Sequence, residues 1–438
     1  MRRIQSLLRH DLIHNTLALY GVQICRKLLP LVSIPYLTRV LMPTGWGTVA
    51  FVTSLGDFIV MAIEFGFNLS ATREIAQNRE SRERCGRIVS GVFASQLLIA
   101  AIAVAGICLG RPFLPVLRDH PSLFWAGLLY GVSQGLNPIW FFQGLENIRL
   151  AAAVEVIGKS LALLGLFIFV RNPGDEWRVL ALQAVPALLS TVVGFLLAGR
   201  RVALCWPTPA HISQTLRRSF PMFLFRSGES LYGVGNAFVL GLFASPASVG
   251  YYSLAERIGR AIFGLLDPVR ESIYPRLSHL AVRSQAKAAK LAQLGAAVMI
   301  AGGVLLGIGM YLFAPLLIHL AGSNAFTPAV TVLRIFAILP VLLAISHSIG
   351  IQWLLSLGRD RLVNRIIMSA GGLNLLLAVL LAPRFKHFGM AWAVVCAETF
   401  VCLALVWTVR RVSPFWRGNA TTAFAGSNPP ADLEKQLS

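Results

Sequence analysis

The chain predicts an all-α multi-pass membrane protein of about twelve transmembrane helices, set in two parallel six-helix halves around a central cavity. Three observations carry this. About a dozen apolar stretches, each near 20 residues, follow one another from Thr16 to Val409. Hydrophobic residues make up 56% of the 438 and charged residues only 13%, with a mean hydropathy of +0.68. The basic residues between the stretches alternate between dense and sparse. A helix rises about 1.5 Å per residue, so about 20 apolar residues cross a hydrocarbon core of about 30 Å. A soluble core helix would instead pair an apolar stripe with a charged face.

The predicted spans are residues 16–41, 46–69, 88–110, 122–142, 151–170, 179–198, 220–242, 249–273, 292–318, 328–356, 366–382 and 388–409. The first follows a short basic segment, lacks a small-residue cleavage site and is expected to stay in the mature protein. Pro30 and Pro35 loosen it. The second ends before an Arg/Glu run from Arg73 to Arg87, which reads as a topogenic cytoplasmic helix. The ninth carries a GxxxG at Gly303 and Gly307, the signature of close helix packing. From Asn419 the tail is polar and expected to be disordered.

The net charge of +20 invites a nucleic-acid reading, but its placement argues against one. Outside the spans, the N-terminus and the even-numbered junctions hold 24 Lys and Arg, whereas the odd-numbered junctions hold 6. By the positive-inside rule this bias puts both termini in the cytoplasm, and the alternation supports twelve spans. Six cysteines show no paired spacing, and His10 and His14 share a helical face without a third ligand, so neither a disulfide framework nor a metal site is expected. The chain carries no phosphate-binding or dinucleotide glycine motif, and no cofactor is expected.

The junction 199–219, with Pro207 and Pro209, divides the chain into an N-terminal half (1–198) and a C-terminal half (220–411), with a tail over 412–438. An offset of 203 residues carries Pro43 onto Pro246, Gly47 onto Gly250, Glu64 onto Asp267 and Arg73 onto Arg276. At a slightly larger offset Trp140 falls on Trp353. Six spans per half make both halves enter from the cytoplasm, as parallel repeats about an axis along the membrane normal. That is an architecture of transporters.

Nine cations remain at or inside spans: Arg26, Lys27, Arg39, Lys159, Arg226, Arg257, Arg260, Arg270 and Arg334. Each would cost about 2.5–3.5 kcal/mol facing lipid at mid-depth, so they must face protein or water. In the seventh span Arg226, Glu229, Gly233 and Asn236 share one helical face. In the eighth Glu256, Arg260 and Asp267 share a face, with Arg257 beside them, and the second span contributes Asp57 and Glu64. One reading makes these compensated pairs: Arg226 with Glu229, Glu155 with Lys159, Glu256 with Arg260. The other makes Arg26, Lys27, Arg226, Arg257 and Arg260 the lining of a hydrated cavity for an anion. Arg39, Arg270 and Arg334 sit near span ends, where snorkelling explains them. Trp140, Tyr232, Tyr251 and Asn236 are the candidate glycan contacts if they line that cavity.

The segments PYLTRVLMPTGWGTVAF (Pro35 to Phe51), FGFNLSATREIAQNR (Phe65 to Arg79), NPIWFFQGLENIRL (Asn137 to Leu150) and VGYYSLAERIGRAI (Val249 to Ile262), with YPRLSHL after it, resemble the Wzx-type O-antigen and polysaccharide flippases. These belong to the multidrug/oligosaccharidyl-lipid/polysaccharide (MOP) transporter superfamily. Trp140 to Glu146 is the most specific match. Where relatives commonly end the first span in Leu-Gly, this chain has Leu41-Met42-Pro43.

The resemblance implies transfer of an oligosaccharide on undecaprenyl pyrophosphate from the cytoplasmic to the periplasmic leaflet. It implies contact with membrane lipids, and a polysaccharide polymerase and chain-length machinery as partners. A headgroup of about two negative charges would gain roughly 4–5 kcal/mol on leaving an inside-negative cytoplasm across about 100 mV. Ion antiport through Asp57, Glu64 or Glu229 is the alternative coupling, with Glu256 and Asp267 as further coupling or pairing groups. Two other cargoes stay open on the residues alone, an organic cation and lipid II. A membrane-embedded polymerase is disfavoured, because the longest loops are about twenty residues and lie on the basic side.

Overall fold

The computed structural model describes residues 2–146, 148–233 and 235–412. Side chains are described from Val32 onward, apart from 147–152, 228–232, 281–283 and a few single positions. The expected tail, and the side chains of Arg26, Lys27, Glu229 and Tyr232, lie outside what is described. Among the described residues the chain is helical, with no strand.

In chain order the helices are α1 (Arg2–Glu64), α2 (Phe67–Gln77), α3 (Arg82–Gly110), α4 (Pro115–Asp119), α5 (Pro121–Gly135), α6 (Ile139–Gly144), α7 (Ile148–Phe169) and α8 (Glu176–Arg201). There follow α9 (Pro209–Gly233), α10 (Asn236–Phe243), α11 (Pro246–Phe263), α12 (Asp267–Arg283), α13 (Gln285–Leu312), α14 (Ala314–Ala321), α15 (Pro328–Phe336), α16 (Leu339–Ser346) and α17 (Asp360–Val412). Among the described residues six helical stretches are long and apolar enough to cross a membrane. Two of these, Val32–Gln77 and Asp360–Arg411, are about twice the length one crossing needs.

Both double-length helices are broken by one residue of positive φ. In α1 it is Met42 (φ 57°, ψ 174°) and in α17 it is Lys386 (φ 51°, ψ −130°). Pro43 explains half of the first break, because a residue before proline is driven to extended ψ. Around Lys386 the Leu381 carbonyl packs against Gly389, eight residues on, a separation of about 12 Å in a straight helix. The chain doubles back there. Elsewhere small polar residues start the helices: Ser81, Ser245 and Ser284 each accept a backbone N–H at the N-caps of α3, α11 and α13. Gly303 and Gly307 lie 2.6 and 2.5 Å (from an added Cβ) from the carbonyl oxygens of Pro340 and Ala337, the close packing their spacing predicted.

The apolar core is layered. Toward the Pro43/Pro246 face one continuous cluster joins α1, α5, α8, α11, α15 and α17, including Trp46, Phe124, Tyr252 and Phe336. Toward the Arg73/Arg276 face the core divides. One cluster holds Phe67, Ile75, Trp140 and Phe141, and a separate one holds Leu277, Trp353, Leu354 and Leu405. The two tryptophans that the repeat aligned therefore anchor two different inner cores, at 0% and 1% exposure.

Candidate functional site

The two proline-glycine segments related by the offset meet each other. A Cβ on Gly47 would overlap the Pro246 carbonyl and lie 2.7 Å from the Gly250 nitrogen; a Cβ on Gly250 would overlap the Pro43 carbonyl. Each glycine thus faces the proline four residues before the other, the reciprocity of a two-fold contact. This crossing packs α1 and α11 backbone against backbone.

The charged residues follow below the crossing. Arg257 lies seven residues from Gly250, about 10 Å along α11, and Asp57 ten residues from Gly47, about 15 Å along α1. Tyr130 of α5 donates its hydroxyl to Asp57 Oδ1 at 3.0 Å. Arg257 stacks its guanidinium over the Trp46 ring, 4.6 Å from the centroid, a cation–π contact strengthened by removal from water. On the neighbouring face Arg260 pairs with Glu256 at 2.9 Å and also donates to the Gly233 carbonyl, while Tyr252 donates to Glu256 at 3.3 Å. Adjacent residues on a helix point about 100° apart. Arg257 accordingly lines a cavity of about 240 Å³ shared with Tyr130, Glu155 and Lys159. Glu256 and Arg260 line a second one of about 250 Å³, with Asn236, Tyr252 and Asp267.

The expected cation set is thus split between two cavities by the geometry of α11. Deeper still, Arg226 of α9 reaches Glu64 of α1 at 3.6 Å. Its expected pairing was with Glu229, whose side chain is outside the described residues. Beside this pair Phe65 stacks on Phe223 at 4.5 Å and Ser70 bonds Ser219 at 2.8 Å, so α9 leans on α1 and α2. Asp267 pairs with Arg270 at 3.1 Å, and Arg270 also contacts His347 Nδ1 at 3.1 Å. Lys159 pairs with Glu155 at 2.8 Å, as the compensated reading expected. Arg39 donates to the carbonyls of Leu320 and Gly322 at the end of α14, where a helix dipole favours a cation.

Two candidate glycan contacts are corrected by the packing. Trp140 is wholly buried in an inner core, its backbone carbonyl accepting from Thr72 at 3.1 Å and its ring packed among apolar side chains. Tyr251 packs edge-on against Phe326 and His387 near the Lys386 turn, one residue from the crossing glycine and away from the charged layer. Asn236 does line a cavity, where its Oδ1 accepts from Asn374 at 2.8 Å. Sequence reading missed Tyr130, Trp46 and Asn374, which lie on other helices and carry no local signal. It also missed the fork between Arg79 and Glu146, two bonds of 2.9 Å that hold the Glu146 carboxyl below the usual carboxylate range. This fork ties the end of α2 to the turn before α7.

Comparison with known proteins bears on this arrangement. Residues 12–281 match the family described as polysaccharide biosynthesis protein. A protein of Escherichia coli (strain K12) named "Putative O-antigen transporter" is 29% identical over 402 residues, covering 91% of this chain and 97% of its own. A protein of Shigella dysenteriae with the same name is 25% identical over 401 residues, covering 90% and 99%. In fold, the chain is similar to the lipid II flippase MurJ in an inward closed conformation, with a TM-score of 0.71 at 13% identity over 91% of this chain and 87% of that one. It is also similar to an inward-facing multidrug resistance MATE family transporter of the MOP superfamily, with a TM-score of 0.61 at 14% identity over 90% and 100%. The chain belongs to the polysaccharide biosynthesis protein family and has the helical fold of the MOP transporters.

Proposed function

We propose that the protein is a flippase that carries an oligosaccharide on undecaprenyl pyrophosphate from the cytoplasmic to the periplasmic leaflet. The family and the names of the relatives support a lipid-linked saccharide cargo. The observation that carries the reading is the position of Arg257. It is half-buried beneath the Gly47–Gly250 crossing and, among the described residues, makes no ion pair within 4 Å. Asp57, Glu64, Glu256 and Asp267 each have a hydrogen-bonding or basic partner. The site therefore offers a guanidinium with no carboxylate in direct contact, which suits a pyrophosphate better than an organic cation.

The layered core supports alternating access between halves 1–198 and 220–411. One broad core joins them toward the crossing, and the inner cores are separate, bridged by α9, which packs on α1, α2 and α3. With the basic face in the cytoplasm, this is a state shut to the periplasm and closed only lightly to the cytoplasm. Arg226 and Glu64 then part as the pyrophosphate enters, and Arg257 receives it. Charge repulsion and the field both favour outward release. The test is a proteoliposome assay with undecaprenyl-pyrophosphate oligosaccharide and an impermeant glycan-modifying enzyme. Protein-dependent exposure of the glycan is expected, and its absence with a matched glycan defeats the proposal.

A further inference from the structure

A cavity of about 820 Å³ lies outside the central path, between the end of α2, the start of α3, the connection 203–208 and the start of α9. Arg84, Arg87, Arg218 and His211 line it, against one acid, Glu74. Among the described residues none of the three arginines pairs with a carboxylate within 4 Å; Arg84 has only a long bond of 3.5 Å to Asn78. Three exposed arginines over one acid leave a net positive charge, and an anion relieves their mutual repulsion. The N-termini of two long helices, α3 and α9, open at the same place, and their dipoles add to the positive potential.

The walls are built, not a chance gap between loops. Arg82 donates to the carbonyls of Arg200 and Arg201 at 2.8 Å each, Ala203 N–H donates to the Arg82 carbonyl at 3.2 Å, and Cys205 N–H donates to Ser90 at 3.1 Å. Gly86 lets the connection lie directly on α3, since a Cβ there would overlap the Ala203 carbonyl. Gly91 does the same for His211, which would sit 2.8 Å from an added Cβ. The connection and α9 are thereby clamped to α3 with the arginines facing a shared space.

One wall is apolar. Ile88 and Val92 continue α3 toward the membrane, and Trp206 is 95% exposed at the rim. A basic recess with an apolar exit and an exposed tryptophan at the membrane interface fits a lipid headgroup whose tails leave into the leaflet. Guanidinium groups pair with phosphate oxygens in forked geometry, and three of them over one acid match two phosphates better than one. We propose that this pocket binds the paired-phosphate headgroup of a lipid in the leaflet on the basic side, independently of the central site. The shared chemistry is two neighbouring phosphates on a lipid, as in cardiolipin or in a polyprenyl diphosphate. The proposal takes from the proposed function only the side of the membrane, and lipid retention is read without any transport.

The experiment is native mass spectrometry of the full chain in detergent with cardiolipin, undecaprenyl pyrophosphate, phosphatidylglycerol and phosphatidylcholine offered separately. At about a factor of five per arginine, the variant R84Q/R87Q/R218Q should hold a two-phosphate lipid roughly a hundredfold more weakly than the wild type. The variant R84K/R87K/R218K keeps the charge and should stay within about tenfold, which separates lost binding from lost folding. Arg361→Gln, at an exposed arginine of α17 outside both sites, should leave retention unchanged. Tighter binding of cardiolipin assigns the pocket to a membrane lipid, and tighter binding of undecaprenyl pyrophosphate assigns it to the diphosphate carrier; either supports the proposal. Retention of phosphatidylcholine equal to that of the two-phosphate lipids, unchanged retention in the glutamine variant, or an equal loss in Arg361→Gln overturns it.

Discussion

Gly47 and Gly250 meet backbone to backbone, each lying against the carbonyl of the proline four residues before the other. Two helices approach this closely only where both lack a side chain. Under the proposed alternating access the contact closes the end above Arg257, and its stability sets how often that end opens. Gly47→Ala or Gly250→Ala forces a methyl group into a carbonyl oxygen, an overpacking cost of about 1–3 kcal/mol. The expected result is a shift of roughly five- to 150-fold toward the state open at this end. Thiol-reagent accessibility of a cysteine placed at Thr53 measures it, and unchanged labelling would count against a gating role for the crossing.

Met42 occupies a φ/ψ combination (57°, 174°) that is close to glycine-only territory and costs about 1–3 kcal/mol for another residue. Its side chain is 43% exposed, so little packing is lost on removing it. Met42→Gly should therefore raise stability by about 1 kcal/mol, after about 0.5–1 kcal/mol of added unfolded-state entropy. Thermal unfolding in detergent against the wild type is the check.

Arg226 and Glu64 form a partly exposed pair at 3.6 Å, with side chains 42% and 25% accessible. Such a pair contributes under about 1 kcal/mol to stability. Arg226→Ala should leave the melting temperature nearly unchanged while reducing transport more than tenfold. The swap Arg226→Glu with Glu64→Arg distinguishes the roles. A gate recovers its latch and part of its transport, whereas a residue that must meet the cargo's phosphates does not.

Arg257 is held by Trp46 and faces the cavity that Tyr130 and Lys159 share. Arg257→Gln is expected to abolish glycan exposure in proteoliposomes. Arg257→Lys keeps the charge but gives up the forked geometry and most of the stacking, and should retain a minor fraction of activity. Trp46→Leu removes a cation–π contact of about 2 kcal/mol when desolvated, so transport should fall with insertion intact. If the lysine variant transports as well as the wild type, point charge alone is enough and the fork is not used.

Much of the architecture was written in local pattern. Apolar length separated the crossings from the junctions, because the hydrocarbon core has one thickness, and charged residues inside spans announced a protein-lined interior. The pair Pro43–Gly47 and its image Pro246–Gly250 were visible as a repeat. That the two images touch was not, since a repeat offset says nothing about which faces meet. Glu155–Lys159 and Glu256–Arg260 were readable because a helix places residues four apart on one face. Arg226–Glu64, Tyr130–Asp57 and Arg257–Trp46 join residues 73 to more than 200 positions apart, and only the packing of α1, α5, α9 and α11 decides them. Trp140 shows the same limit from the other side. Its motif marked the family, yet an aromatic ring beside a polar path and one buried in a core look alike in sequence. The chain by itself determined a helical membrane fold and the presence of charges inside it, because these follow from the solvent and from one-dimensional periodicity. Tertiary structure alone decided which cations share a cavity and which glycines close it, because helix rotation and crossing are set by contacts between distant segments.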